Sequence, residues 1–180
     1  MNRFISILVL YVACFASCKQ KDVDIIADIK KKTAEVNKNL KDYKQKRADD
    51  LTTSAKGTIT GYYREEEVKK IVSERYTNQD RTFSEYYFDD GMLIGIVKQN
   101  FSYNRPVSYT EEDAKANNDS EWYDDKKTRL EINYFYFSKN KLIKWTEGSK
   151  DLSVSPQNFT DKESELLAET VILLKQLKEE

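Results

Sequence analysis

The sequence predicts an α+β domain, in which a six-stranded antiparallel meander has an N-terminal and a C-terminal helix packed on it. The first observation behind this prediction is a ten-residue pattern that occurs three times, at 62–71, 87–96 and 136–145. Each copy has an aromatic pair, a few polar residues, an aliphatic residue and a final Ile or Trp, a layout typical of β-hairpins. The second observation is an amphipathic stripe on each side of the repeats, which indicates the two helices.

The turn of the second copy sets the register of all three hairpins. A two-residue loop at Asp90-Gly91 has the residues that type I′ turns favour. The same count applied to each copy predicts the cross-strand pairs Phe88 with Leu93, Tyr63 with Val68, and Phe137 with Leu142. Because one count fits all three copies, we predict three hairpins in one meander.

The six predicted strands, bounded by turn residues, cover 57–64, 67–76, 82–89, 92–103, 128–138 and 141–147. Strict alternation along each strand sorts the side chains onto two faces. One face collects Ile59, Tyr63, Val68, Val72, Tyr86, Phe88, Leu93, Val97, Phe135, Phe137 and Leu142. The other collects Tyr62, Ile71, Phe83, Tyr87, Met92, Ile94, Ile96, Ile132, Tyr134, Tyr136, Ile143 and Trp145. Neither face is plainly polar, so both are expected to need a covering layer.

Two predicted helices can supply these layers. The N-terminal helix covers 22–46, where the apolar residues recur at helical steps: Ile25, Ile26, Ile29, Val36, Leu40 and Tyr43. The C-terminal helix covers 160–178 and begins with a capping box of Thr160 and Glu163. Its apolar side carries Leu166, Leu167, Thr170, Val171, Leu174 and Leu177. Either each helix shields one face, or part of one face stays open as a tyrosine-lined surface.

Residues 1–17 have the layout of a secretory signal peptide. Arg3 is followed by an apolar run at 4–13, which is too short to span a bilayer as a permanent helix. The segment ends in Phe15-Ala16-Ser17-Cys18, which resembles the bacterial lipobox, although that pattern prefers Leu at the position of Phe15. The alternative is an ordinary signal peptide with an incidental cysteine.

The lipobox resemblance implies a lipid anchor at Cys18. Cleavage before Cys18 would remove 1–17, its sulfur would carry a diacylglycerol, and its amine would be acylated. Several acyl chains anchor a protein stably, whereas one chain binds only marginally. Residues 18–21 would then form a short lipidated tether, and 22–180 a single domain.

The residue inventory excludes several classes of enzyme. The chain has no histidine, and its two cysteines are Cys14 in the predicted signal peptide and the predicted anchor Cys18. The mature domain is therefore predicted to lack disulfides, thiolate nucleophiles, histidine-based catalysis and zinc sites. None of the five glycines belongs to a phosphate-binding or dinucleotide-binding motif. We predict no catalytic residue, no metal ligand and no cofactor, and a carboxylate-based hydrolase is the remaining enzymatic alternative.

A predicted loop at 104–127 separates the fourth and fifth strands. Loops of this length in compact domains are often functional. Its acidic residues lack the spacing of a calcium-binding EF-hand, so we predict no metal site there. The candidate binding residues are the aromatic residues of this loop and of the strands: Tyr103, Tyr109, Trp122, Tyr123, Tyr134 and Trp145.

The whole layout resembles small lipoproteins of Bacteroidota. The resemblance rests on the lipobox, the Lys-rich first helix, the motif Tyr-Tyr-Phe-Asp-Asp-Gly-Met-Leu-Ile at 86–94, the later Leu-Ile-Lys-Trp at 142–145, and the closing helix. It implies an outer membrane-anchored lipoprotein that faces the periplasm or the cell surface. It carries no known activity to transfer.

The charge balance and the predicted lipid anchor limit the kinds of partner that we expect. The 30 basic and 31 acidic residues nearly balance, so no broad basic surface for nucleic acid is expected. The expected partners are the membrane, through Cys18, and a protein or glycan. We predict a non-enzymatic binding or scaffolding domain in the cell envelope. The alternative is a structural accessory subunit of an envelope complex that docks through its N-terminal helix.

Overall fold

A computed structural model of the chain describes residues 24–51 and 56–179. The predicted signal peptide, lipidated Cys18 and tether lie outside these residues. The helices are α1 (24–38), α2 (Glu111–Ala116) and α3 (Pro156–Glu179). The strands are β1 (Lys44–Asp49), β2 (Lys56–Arg64), β3 (Glu67–Tyr76), β4 (Asp80–Asp89), β5 (Met92–Ser102), β6 (Arg129–Ser138), β7 (Lys141–Glu147) and β8 (Lys150–Asp151).

The described strands form one antiparallel sheet in sequential order, β1 to β8. The predicted α+β class, the meander and the helix at each end are therefore confirmed, but the predicted number of six strands is wrong. The two additional strands are the outermost ones, β1 and β8. Both are short, as edge strands in monomeric proteins often are.

Strand β1 begins inside the segment that we expected to be helical, with which it shares residues 44–46. The predicted helix 22–46 ends at residue 38 instead and is followed by a 3-10 turn at Leu40–Asp42. Pairing with β2 places Ala48 opposite the buried Ile59, and Ala48 packs against the core. The Lys-rich sequence of β1 also suits an edge strand, because charged side chains oppose pairing with another chain.

The predicted register of all three hairpins is confirmed. The observed pairs include Tyr63 with Val68, Phe88 with Leu93, and Phe137 with Leu142. Both turn residues of the second hairpin have left-handed backbones, with φ of 48° at Asp90 and 72° at Gly91, as a type I′ turn requires. The repeat in the sequence is thus a repeat in the structure.

Each hairpin also contains a β-bulge, which strict alternation did not predict. The register shifts beside the aromatic pair in every copy, between Tyr62 and Tyr63, between Tyr87 and Phe88, and between Tyr136 and Phe137. One extra residue in the second strand moves all later side chains to the opposite face. The predicted faces of Ile71, Val72, Ile96, Val97 and Trp145 are therefore wrong.

Helix α3 covers one face of the sheet, called the α3 face. The side chains that share its core are Ile59, Ile71, Tyr86, Phe88, Leu93, Ile96, Phe135, Phe137, Leu142, Leu166, Leu173 and Leu177. On the helix, the buried stripe includes Leu173, whereas Val171, which we placed on the apolar side, is exposed. The core thus combines both strands of each hairpin with one helix.

The start of α3 differs from the predicted capping box. The helix begins at Pro156, where proline is favoured because the first N–H group has no helical partner. The Ser155 hydroxyl accepts a hydrogen bond of 3.2 Å from a backbone N–H three residues later. Thr160 donates to the carbonyl of Pro156 over 3.0 Å, and Glu163 accepts from the backbone N–H of Leu142 over 2.7 Å. Glu163 therefore joins the helix to β7 by a hydrogen bond instead of capping the helix.

Helix α1 lies on the opposite face, called the α1 face. Its buried apolar residues are Ile29 and Val36. A Cβ atom built on Gly95 would lie 3.6 Å from a methyl carbon of Ile29, so the helix passes directly over β5 at this point. Lys32 forms an ion pair of 2.8 Å with Asp89 at the end of β4. Helix α1 therefore covers the end of the sheet near the hairpin turns.

Replacement of Gly91 by alanine is expected to lower the free energy of unfolding by about 1 kcal/mol, because its left-handed backbone disfavours a side chain. Urea denaturation measures the change. Gly95→Ala is the matched control, since its methyl group would meet Ile29 at an ordinary 3.6 Å. We expect a change within about 0.5 kcal/mol for that variant. Equal losses for the two variants would contradict the proposed cause.

Candidate functional site

The predicted long loop is an ordered structure, and residues 103–127 are here called the aromatic lobe. It contains helix α2 and a 3-10 turn at Asp125–Lys127. A capping box begins α2: the Thr110 hydroxyl accepts from the Asp113 N–H over 3.2 Å, and the Asp113 carboxylate accepts from the Thr110 N–H over 2.9 Å. The N–H and the hydroxyl of Thr110 each donate a hydrogen bond of 2.9 Å to this carboxylate, and these two bonds lower the pKa of Asp113. Ala114 is buried beneath the helix.

Four of the six candidate binding residues come together in this lobe. The rings of Tyr103 and Tyr123 meet edge to face, with 5.5 Å between their centroids. The Tyr123 N–H donates to the carbonyl of Tyr109 over 3.0 Å. Trp122 is held at its backbone, because its carbonyl accepts a 2.9 Å hydrogen bond from the side chain of Asn104. The residue is nevertheless 43% exposed.

The other two candidate residues lie on opposite faces of the sheet. Tyr134 is on the α1 face, in the cross-strand row that pairs it with Val97. Trp145 is on the α3 face, where its ring lies 5.4 Å from that of Phe135. The indole N–H of Trp145 donates to Asn133 over 2.8 Å. The six candidate residues therefore do not form one site.

Part of the α1 face is not covered by α1, and its outermost rows are here called the open sheet surface. The rows consist of cross-strand neighbours on β3, β4, β5 and β6. They are Tyr76, Arg81, Phe101 and Leu130 in the first row, and Glu74, Phe83, Gln99 and Ile132 in the second. The Arg81 guanidinium lies 5.4 Å from the centroid of the Phe101 ring. Tyr76 and Leu130, at the two ends of the first row, are exposed.

Between this surface and α1 runs a groove of about 360 Å³ whose lining includes Tyr87, Tyr134 and Tyr136. The buried ammonium group of Lys70 contacts three residues that line one end of the groove. This group donates to Asn37 over 2.7 Å and to Glu85, and it lies 4.9 Å from the centre of the Tyr87 ring. Burial raises the pKa of Tyr87 above its ordinary value. The groove therefore has rigid tyrosine walls.

A second concave region, the polar cleft, lies on the α3 face beyond the apolar core. Its volume is about 370 Å³. Two cross-strand rows of polar side chains lie at this end of the face: Arg75, Thr82, Asn100 and Glu131, and then Ser73, Ser84, Lys98 and Asn133. Helix α3 adds a wall of Lys162, Glu165 and Glu169, and Trp145 borders the cleft.

An ion-pair network joins α3 to the floor of this cleft. Arg75 donates through Nε to Asp50 over 2.6 Å and through Nη1 to Glu169 over 2.7 Å. Lys98 donates to the other oxygen of Glu169 over 2.5 Å. Burial opposes ionisation of Glu169, but Lys98 and Arg75 outweigh it and hold the pKa of this carboxyl below its ordinary value. The Ser73 hydroxyl adds a 2.8 Å hydrogen bond to Asp50.

We did not predict this network, although the sequence contains a signal for it. Polar residues occupy alternate positions at the same end of four neighbouring strands, as Ser73 with Arg75 and Lys98 with Asn100 illustrate. Strict alternation ignores the bulges and therefore assigns residues 71 and 96 to the wrong face. The polar residues of β3 and β5 are then placed on the opposite face from those of β4 and β6.

Comparison of the chain with protein-family models, with curated proteins and with solved structures finds no match. Over residues 24–51 and 56–179, no three side chains of His, Cys, Asp or Glu are grouped in a way that could hold a metal ion. Helices long and apolar enough to cross a bilayer are also lacking in this part of the chain.

Proposed function

We propose that this protein is a non-enzymatic binding domain of the bacterial cell envelope, anchored in the outer membrane through lipidated Cys18. In this proposal it binds a protein partner through the aromatic lobe and the open sheet surface. The lowered pKa of Glu169 in the polar cleft does not suit the role of a general acid for this residue.

One observation carries the proposal: exposed apolar side chains gather at the end of the sheet that neither helix covers. Trp122 is exposed on an ordered backbone, and Val107 is also exposed on the same lobe. The lobe is attached beside the β3–β4 turn, where the Val107 N–H donates to the carbonyl of Asn78 over 2.8 Å. Tyr76 and Leu130 add exposed apolar surface on the strands. Rigid exposed aromatic side chains are frequent anchors of protein interfaces.

The charge of the lobe indicates the chemistry of the partner. Residues 104–127 contain seven acidic and four basic side chains. Three of the basic side chains already pair within the lobe, for example Arg105 with Asp119 at 2.9 Å and Lys127 with Glu121 at 2.9 Å. A partner with a basic rim around an apolar pocket would complement this surface.

Replacement of Trp122 by alanine is expected to weaken binding of the partner by about tenfold or more, because central aromatic anchors contribute a large part of the binding energy. Cross-linking in intact envelopes, followed by titration of the isolated partner with each variant, measures the effect. Met92→Ala is the matched control, since Met92 is similarly exposed but lies at a hairpin turn at the opposite end of the sheet. A partner that binds the Trp122 variant as tightly as the native chain would contradict the assignment of this surface.

Docking through the N-terminal helix remains the alternative, but the packing of α1 does not favour it. Ile29 and Val36 are already buried, and Ile29 lies over Gly95 of the protein's own sheet. A partner would have to recognise the polar outer side, which carries Lys31 and Lys38. Cross-links from these two positions to a neighbouring protein would support the alternative.

A further inference from the structure

We propose that the polar cleft binds an uncharged, polyhydroxylated small ligand, of the size of a sugar ring or a short neutral saccharide. The cleft is on the α3 face, whereas the open sheet surface is on the α1 face, so this inference is independent of the proposed protein partner. It concerns a second ligand of different chemistry.

Buried polar residues lie at the cleft, where the α3 face would otherwise continue its apolar core. Ser73, Ser84 and Asn133 are buried. Their row directly follows that of Ile71, Tyr86 and Ile96, which belongs to the core. Ser73 and Asn133 are hydrogen-bonded within the protein, to Asp50 and Trp145, so their burial is tolerated. Apolar residues at these positions would instead extend the core. The cleft thus offers a small ligand a polar floor together with the aromatic side chains of Phe135 and Trp145.

The cleft also has hydrogen-bonding capacity that the described residues leave unused. The Nη2 atom of Arg75 is buried and has no hydrogen-bond partner among them. Lys98 can donate three hydrogen bonds and makes one, to Glu169. Asn100 accepts from Thr82 over 3.3 Å through its side-chain oxygen, which leaves its amide N–H groups for a ligand. All three residues line the cleft of about 370 Å³.

The charged side chains that line the cleft balance each other, and this favours an uncharged ligand. Among the lining residues, the three cations Arg75, Lys98 and Lys162 are matched by three carboxylates, Glu131, Glu165 and Glu169. An anionic ligand would add charge beside those carboxylates, and a cationic one would lie beside the ammonium and guanidinium groups. Hydroxyl groups can instead accept from the free donors and donate to the carboxylate oxygens.

Trp145 gives the cleft an apolar wall with a fixed orientation. Trp145 is held by its indole hydrogen bond to Asn133 and by its contact with Phe135. The ammonium group of Lys162 lies 5.8 Å from the centre of the indole ring. A sugar has polar edges and a less polar face of C–H groups, so this wall and the polar floor suit its two sides.

Nuclear magnetic resonance of the full chain tests the proposal, because its two tryptophans report on the two proposed sites. The probes are glucose, galactose, mannose, N-acetylglucosamine, maltose and cellobiose, with glucuronate as the anionic comparison. We expect at least one neutral probe to shift the Trp145 indole N–H signal saturably, with a Kd of about 1 mM or lower, and to leave the Trp122 signal unchanged. A Trp122→Phe variant serves only to assign the two signals.

Substitutions in the polar cleft test whether the saccharide binds there. Asn100→Ala and Lys98→Gln are each expected to raise the Kd of the bound saccharide by about fivefold or more, as loss of a ligand hydrogen bond would. Lys144→Gln is the matched control, because Lys144 is on the same sheet but on the α1 face. Because Lys98→Gln also removes the ion pair with Glu169, Asn100→Ala gives the decisive measurement. Unchanged binding in that variant overturns the proposal.

Two further outcomes also overturn it. No saturable shift of the Trp145 signal with any neutral probe would show that the cleft is not a saccharide site. Tighter binding of glucuronate than of glucose would show that the free donors select an anion. Loss of protein binding in the Trp122→Ala variant, with saccharide binding retained, would leave this inference intact, so failure of either proposal can be told from failure of the other.

Discussion

Replacement of Arg75 by alanine is expected to destabilise the folded protein by about 3–5 kcal/mol, because it removes the cation from a buried ion-pair network. The Asp50 side chain has no exposed surface, and that of Arg75 is only 14% exposed. Without the guanidinium, Asp50 loses its ion pair with Arg75 while it stays buried, and Glu169 retains only Lys98. Urea denaturation monitored by circular dichroism measures the loss.

Arg81→Ala is the matched control for this prediction. Arg81 is on the neighbouring strand β4 and pairs with Glu74, but both side chains of this pair are more than a third exposed. Exposed ion pairs contribute about 0–1 kcal/mol, so we expect a small change. Similar losses for Arg75→Ala and Arg81→Ala would show that burial of the network does not matter for stability.

The same network predicts how stability depends on pH. The folded state lowers the pKa of Glu169, so its ionised form stabilises the fold above the ordinary pKa of 4.5, and this stabilisation is lost as the pH falls through the lowered value. Glu169→Gln keeps the shape but removes the charge. The variant is expected to be less stable than the native chain at neutral pH, and the difference should shrink in acid. A difference that stays constant below pH 4.5 would contradict this account.

Replacement of Leu173 by alanine is expected to destabilise the protein by about 3 kcal/mol, because the side chain is fully buried between α3 and the sheet. The loss combines the transfer of the leucine side chain out of the core with the cavity that remains. The free energy of unfolding from chemical denaturation is again the measurement.

Val171→Ala is the control for Leu173, since Val171 lies two residues earlier on the same helix and is 64% exposed. Alanine is also the better helix former, so this change is expected to be neutral or slightly stabilising. If both variants lost comparable stability, α3 would not contact the sheet through the stripe that contains Leu173.

The hairpins could be predicted from the sequence because their contacts are local. The Asp90-Gly91 turn and the aromatic pair before it are within a few residues of each other. The register that they imply, such as Phe88 opposite Leu93, is observed. The start of α3 was misplaced by four residues, because both Ser155 and Thr160 are acceptable helix caps by type.

The aromatic lobe was located as a segment of interest, but its internal order was not predicted. Edge-to-face packing of Tyr103 on Tyr123 and the hydrogen bond from Asn104 to Trp122 join residues about twenty positions apart. No local pattern specifies such contacts. The binding assignment of Trp122 therefore stays a prediction, to be tested by the variant described above.

By itself, the sequence determined the antiparallel hairpins, their turns and the presence of a helix at each end, because these depend on turn chemistry and on apolar spacing over short distances. Only the tertiary structure decided that 44–49 is a strand, that each hairpin carries a bulge, and which face Ile71, Ile96 and Trp145 occupy. It also brought Arg75 of β3, Lys98 of β5 and Glu169 of α3 into one network. The physical reason is that one extra residue in a strand reverses its faces, and the gain that favours this arrangement comes from packing against distant parts of the chain.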